Sequence, residues 1–279
     1  MIRGVLFGAG LLATGVVAAH ECWLAPRRYE VLIGTRQHIA RCVGEGFRAE
    51  PWEITSRKVR RVLHLAPGHQ ADLTASVTAG DTLRTTLAFT RPGTNMLVLR
   101  SAENLITLDG PKFNAYLRED GLETVLAQRT ANGELTKPGR EAYSRCLKTL
   151  IRVNANPGAR SLSTAADTSW HQVLGLPLEL QPEQDPYQLR AGDSLTVRLL
   201  AGGQPAAGQL IQIWSRTPAR AGTVAPLRLR SDLRGRVRFR LPRATAMMVS
   251  CVRMTPHPSR DSADWQSTWA SLTFGGPAH

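Results

Sequence analysis

The stretch Leu227-Arg228-Leu229-Arg230-Ser231-Asp232-Leu233-Arg234-Gly235-Arg236-Val237-Arg238-Phe239-Arg240-Leu241 decides the reading of the fold. Apolar and charged residues alternate strictly on both sides of a Ser-Asp-Leu-Arg-Gly turn. A period of two puts one set of side chains on each face of a pleated strand. The pattern predicts a β-hairpin with Leu227, Leu229, Val237, Phe239 and Leu241 facing a core, its register set by the alternation. Arg228, Arg230, Arg236, Arg238 and Arg240 then share the outer face.

The same periodicity extends outward. Leu195, Val197 and Leu199 alternate after the turn at Gly192-Asp193, residues 210–214 follow the turn Gly202-Gly203-Gln204-Pro205, and 269–274 close the chain as a strand. Upstream, strand patterns occupy 36–43, 59–65, 82–89, 95–99, 105–108 and 150–153, with Pro-Gly or Gly-Pro punctuation at 67–68, 92–93 and 110–111. Short strands with frequent turns predict a mostly-β protein of packed β-sandwiches. Two short helices interrupt them. Phe113, Tyr116 and Leu117 recur at helical spacing after Pro111, as do Leu122, Val125 and Leu126, and Gly121 separates the two.

Of 279 residues, 42% are apolar and 20% charged, which excludes a disordered chain. Thirty-five basic residues against 22 acidic give a net charge of +13, but only four of the basic residues are lysines. A skew this strong toward arginine reads as coding bias rather than as a nucleic-acid signal. Arg3 precedes a low-polarity run over 4–19 that ends Val17-Ala18-Ala19. The run is shorter than the roughly 20 residues needed to cross a bilayer. It predicts a signal peptide over 1–19, cleavage after Ala19, and a periplasmic mature chain beginning at His20 with no transmembrane segment. Ala19-His20-Glu21 lacks the small residues a lipidation site at Cys22 requires. The patterns divide the mature chain into an N-terminal β-sandwich with a helical insertion, 20–176, and a C-terminal β-sandwich, 177–279.

No GxSxG, HExxH, phosphate-binding loop or dinucleotide fingerprint is present, so no enzyme is expected. After cleavage His20 carries an α-amine beside its imidazole, and the two nitrogens can chelate one metal ion. The amine's ordinary pKa of about 7.7–8.0 lets it deprotonate under metal competition. Imidazole suits copper, nickel, zinc and iron. Cys22 would share a strand face with His20 and could add a thiolate, whereas the remaining histidines show no ligand spacing. Export permits disulfides. Cys22 with Cys42, on early strands that could be neighbours, is one arrangement; four free thiols is the other. The five outward arginines of the hairpin would repel one another unless solvated or met by an anionic partner such as lipid, glycan or protein.

Taken together, pieces along 20–274 resemble the domain-of-unknown-function family DUF4198, exported bacterial proteins tied to periplasmic nickel and cobalt uptake. They are His20-Glu21-Cys22-Trp23-Leu24-Ala25-Pro26, Gly44-Glu45-Gly46-Phe47, Gly139-Arg140-Glu141, Tyr143-Ser144-Arg145 with Lys148, Leu174-Gly175-Leu176-Pro177-Leu178-Glu179, Asp185-Pro186-Tyr187, and Asp264-Trp265 with Trp269-Ala270-Ser271-Leu272-Thr273-Phe274. The resemblance implies two sandwich units, the second immunoglobulin- or transthyretin-like. It implies an accessory or binding role in handling nickel, cobalt or copper, with a metal-transporter component or envelope protein as partner and no nucleic acid. The alternative is an envelope interaction module that grips an anionic glycan or protein through the arginine face. The chain departs from the family pattern at Cys22 and Cys146, where relatives carry aromatics, and at Arg253, near which they tend to carry a histidine.

Overall fold

The structure is a computed structural model that describes residues 21–44, 46–48, 50–51, 58–78, 84–157, 167–216 and 225–277. The signal-peptide stretch and His20 lie outside the described residues. In chain order the elements are β1 (Glu21–Pro26), β2 (Glu30–Leu32), β3 (Arg36–Gly44), β4 (Glu50–Pro51), β5 (Val59–Ala66), β6 (His69–Asp72), α1 (Thr74–Thr78), β7 (Arg84–Ala88), β8 (Gly93–Ser101) and β9 (Asn104–Leu108). Next come α2 (Gly110–Glu119), α3 (Glu123–Ala131), β10 (Gly139–Asn154), β11 (Leu178–Pro182), β12 (Ser194–Ala201), β13 (Gln204–Pro205), β14 (Leu210–Arg216), β15 (Leu227–Arg230), β16 (Arg236–Arg240), β17 (Ala246–Pro256) and β18 (Trp265–Phe274).

The chain is mostly β and builds three layers. A ten-stranded sheet ordered β15-β14-β17-β18-β10-β8-β5-β6, with β2 and β9 also paired to β10, lies in the middle. A sheet of β1, β3, β4 and β7 covers one face, and a sheet of β11, β12, β13 and β16 covers the other. The expected sandwiches therefore exist, but they share their middle sheet.

β10 shows why. It runs 16 residues, longer than the 150–153 strand read from pattern, because Leu147 to Val153 is an unbroken buried run. Such a run marks a strand covered on both faces rather than one. Leu147, Ile151 and Val153 enter the core with Cys22, Leu24 and Ile39. Cys146 and Leu150 enter the opposite core with Leu180, Leu195, Val197, Phe239, Met247 and Leu272. The same alternation on β17 sends Met247 and Val249 to that second core and Val252 and Met254 to a third, under the helices. There α2 buries Phe113, Tyr116 and Leu117, and Tyr116 stacks on Trp269 at 5.9 Å between ring centroids. Gly139 is required at this contact, since a Cβ would stand 2.4 Å from the Phe113 ring.

The hairpin expected over 227–241 does not form. β15 pairs with β14 in the middle sheet, and β16 pairs with β12 in the outer sheet. The turn between them crosses from one layer to the other. Asp232 organises it by accepting the backbone N–H groups of Arg234 and Arg236, both at 2.8 Å. Gly235 (φ +73°) donates to the Asp232 carbonyl and seats against β12, its carbonyl accepting the Leu199 N–H at 2.7 Å. A Cβ there would meet the Leu199 oxygen at 2.5 Å. Val237, Phe239 and Leu241 do turn inward, but Leu227 and Leu233 remain exposed at 50% and 93%.

Two buried ion pairs fasten the outer sheet to β10. Lys148 Nζ lies 2.6 Å from Glu179 Oε1, with both side chains at most 2% exposed. Arg152 lies 3.6 Å from Asp185. Glu179 also accepts the N–H groups of Leu174 and Leu176, so its charge is met by three donors.

The parallel pairing of β10 with β18 crosses the expected boundary between 176 and 177. Leu63, Leu65, Met96, Val98 and Leu150 complete the core beneath β11, β12 and β16. A fragment spanning 178–274 loses that wall and leaves β18 as an open edge. Chemical denaturation of the fragment, followed by circular dichroism, is expected to show no cooperative transition, whereas the mature chain unfolds cooperatively. A sharp β-type transition in the fragment would make the C-terminal half an independent domain.

Candidate functional site

The first described residue, Glu21, opens β1 at a cluster of acidic groups. Glu21, Asp120 and Glu141 are all buried, at 6%, 6% and 3% exposure. β1 brings Glu21 in above the middle sheet, Asp120 caps the C-terminal end of α2, and Glu141 stands on β10. Gln212 Nε2 donates to Asp120 Oδ1 at 3.0 Å. Glu141 Oε1 accepts from Tyr116 Oη at 3.1 Å and closely from Ser267 Oγ.

Burial pushes the Asp120 carboxyl well above the ordinary range, and the neighbouring Glu21, Glu119 and Glu141 push it further against the opposing pull of Arg228. Burial also raises Glu141, against the hydrogen bonds from Ser267 and Tyr116 and the charge of Arg145. Tyr116 is driven well above its ordinary value by burial and then by Glu141 and Asp120. Burial thus disfavours the charged forms of Asp120 and Glu141 in the cluster that Glu21 opens. Among the described residues, no three His, Cys, Asp or Glu side chains converge as metal ligands. A metal centre here would need His20 to complete it.

Of the two arrangements open to the cysteines, the structure holds the free thiols. β1 and β3 are indeed neighbours, but Cys22 stands opposite Val43 and Cys42 opposite Trp23. A one-residue offset puts the two sulfurs on opposite faces of the sheet. Cys22 enters the core with Leu24, and Cys42 packs with Trp23 and Trp214. The Cys22–Cys42 disulfide is absent, and all four cysteines are buried free thiols. Desolvation pushes Cys22 up to about 12, and Cys42 and Cys146 up to about 11. The neutral thiol of Cys22 is therefore a poor metal ligand.

The five arginines do not share a face either. Arg228 and Arg230 lie on the edge strand of the middle sheet, where Arg230 pairs with Glu123 and donates to the Gly208 carbonyl at 2.8 Å. Arg236 pairs with Asp232 at 3.2 Å. Arg238 and Arg240 stay exposed together on the outer sheet, a layer away from Arg228 and Arg230. Their partition follows from the layer crossing at 231–235, which no local pattern announces. The buried acids went unread for a similar reason: Glu21, Asp120 and Glu141 are far apart in sequence and carry no motif.

The fold and this site define a class: an all-layered β-sandwich protein with a buried polar cluster at its amino-terminal end. Within that class the chain belongs to the family of the domain of unknown function DUF4198, whose family model matches residues 17–255. A search of curated proteins returned no match. Among solved structures, the chain is similar to the D0-D1 domain of intimin at 10% identity and a TM-score of 0.21, covering 90% of this chain and 97% of that one. It is also similar to carbohydrate-binding modules from the β-sandwich superfamily, at 11% identity and a TM-score of 0.24, covering 93% and 85%. Among the described residues, no helix is long and apolar enough to cross a membrane.

Two measurements bear on the site. Ellman's reagent should find almost no reactive thiol in the native protein and four after unfolding without reductant; two after unfolding would restore a disulfide. Asp120→Asn keeps the acceptor for Gln212 and removes the stored proton. Because the folded Asp120 holds its proton above the ordinary range, the unfolded chain releases it first as pH climbs. Stability therefore falls with rising pH from the ordinary carboxylate pKa upward. In metal-free protein, Asp120→Asn should raise Tm at pH 7 by about 2 °C or more and leave it unchanged near pH 3.

Proposed function

We propose that this chain is an exported periplasmic protein that binds rather than catalyses, and that it serves transition-metal handling. Nickel, cobalt or copper is taken at a centre nucleated by His20 and completed by the neighbouring acids. The observation that supports the reading most directly is the burial of Glu21, one residue after His20, within electrostatic reach of Asp120, which Glu141 also reaches.

A free amino-terminal histidine offers an amine and an imidazole from one residue, so two donors are ordered at the cost of one. Carboxylates are the natural oxygen donors beside them. Burial favours the protonated forms of Asp120 and Glu141, and a divalent ion would oppose it by favouring the carboxylates. Binding would then release protons and weaken as pH falls. Cys22 is withdrawn from the set by its burial in the core with Leu24 and Ile39. A metal-transporter component or another envelope protein is the partner that such a role requires.

The test compares four proteins: the mature chain beginning at His20, the same chain with one glycine before His20, His20→Ala and Asp120→Asn. Calorimetric titration with nickel, cobalt and copper should show one site in the mature form, weakened about tenfold or more by each change. Extension by glycine converts the amine to an amide and leaves the fold untouched. Equal affinity in all four would put the site elsewhere, and no saturable binding by the mature form would end the metal reading.

A further inference from the structure

On the opposite face of β10, β17 and β18 from the acidic cluster, the middle sheet extends past the outer sheet. The overhang forms a cleft of about 380 Å³ under Pro177 and Leu178, at the start of β11. That volume lies within the range of small-molecule sites, roughly 300–1,000 Å³. The lining is polar. Its floor is Ser144 and Thr268, in register on β10 and β18, with hydroxyl oxygens 3.4 Å apart. Arg253, in register with Thr268 on β17, stands on one side. Arg100, at the end of β8, and Arg60, on β5, stand on the other.

The charge balance of this cleft is unusual for the molecule. Arg140, Arg198, Arg230 and Arg236 each pair with a carboxylate elsewhere. Arg60, Arg100 and Arg253 are exposed, and among the described residues none of them makes a hydrogen bond or ion pair. Glu103 is the single acid in the lining, and its Oε2 accepts from Gln266 Nε2 at 3.0 Å. Three guanidinium groups against one carboxylate leave an electropositive concavity, in which low-dielectric walls focus the field on an anion.

We propose that this cleft is a binding site for a small polycarboxylate. The spacing carries the choice of ligand. β17, β18, β10 and β8 are successive strands, so Arg253 and Arg100 rise from backbones three strand spacings apart, or about 14 Å. Two arginine side chains reaching inward from that distance meet a ligand with anionic groups at both ends. Guanidinium matches a carboxylate as a two-pronged donor, and the hydroxyls of Ser144 and Thr268 face the middle of such a ligand. The lining has no aromatic side chain, so a flat apolar ligand has nothing to stack on. This site goes beyond the amino-terminal metal reading and does not depend on it: the two lie on opposite faces of the middle sheet.

The test is calorimetric titration of metal-stripped mature protein at fixed ionic strength with citrate, inorganic phosphate and acetate. Citrate should bind one to one and more tightly than phosphate, with acetate undetectable over the same range. Arg253→Gln and Arg100→Gln should each weaken citrate about tenfold or more. Both residues are exposed, and circular dichroism should show the variants folded. Arg238→Gln, which removes the same charge from the outer sheet, should leave citrate binding unchanged. Absence of saturable citrate binding, or equal weakening by Arg238→Gln, would overturn the site. Tighter binding of phosphate, lost in the same two variants, would overturn the ligand class. His20→Ala, carried through the same titration, should bind citrate as the mature chain does, which separates this site from the metal centre.

Discussion

The parallel pairing of β10 with β18 is the constraint on which the rest of the structure depends. Parallel neighbours cannot be joined by a tight turn and need a long crossover. Here the crossover is the chain between Asn154 and Trp265, which builds the entire outer sheet and the hairpin partner β17 on its way. Once β18 is docked, the middle sheet becomes continuous from β15 to β6, and each flanking sheet finds a face to cover. Contacts this distant in sequence are closed late and at high entropic cost, so folding of this topology is slow for its size.

Charge on β10 then sets where the outer sheet sits. A charge taken out of water is tolerated only with close partners, and removing one partner strands the other. Lys148 and Arg152 project from the face of β10 that the outer sheet covers, and Glu179 and Asp185 come down to meet them. Asp185 also accepts from Thr94 Oγ1 at 3.0 Å and from the Tyr187 N–H at 3.1 Å, which ties β8 to the same point. Apolar packing alone would allow the sheets to slide. Two buried pairs, four residues apart on one strand, specify a single placement.

The same alternation separates two kinds of polar chemistry. Odd residues on β10 and β18, such as Glu141 and Ser267, reach the acidic cluster under α2; even residues, such as Ser144 and Thr268, reach the basic cleft. Carboxyls pushed toward neutrality lie on one side, and unpaired guanidinium groups on the other. A pleated strand keeps the two sets on opposite faces at no cost beyond its own geometry. The acids stand next to the chain's amino-terminal end, while the arginines stand at the overhang of one sheet past another.

The residues by themselves determined that the chain is mostly β with two short helices near its middle, though the strand over 246–256 and most of β10 went unread. Alternation at Leu195, Val197 and Leu199 and the spacing of Phe113, Tyr116 and Leu117 each matched the element found, and the ordered pieces that begin at His20 marked the family, whose model matches residues 17–255. Periodicity is a local property, written by which face each side chain must bury. Strand partnership is not local, and only the tertiary structure decided it. The arms over 227–230 and 236–240 read as partners because they are adjacent and complementary, yet each had a longer-range neighbour with a better core to cover, β14 for one and β12 for the other. The same limit hid the one-residue offset between Cys22 and Cys42. It also hid a cleft assembled from β5, β8, β10, β17 and β18, whose polar residues meet only after the parallel strands have joined.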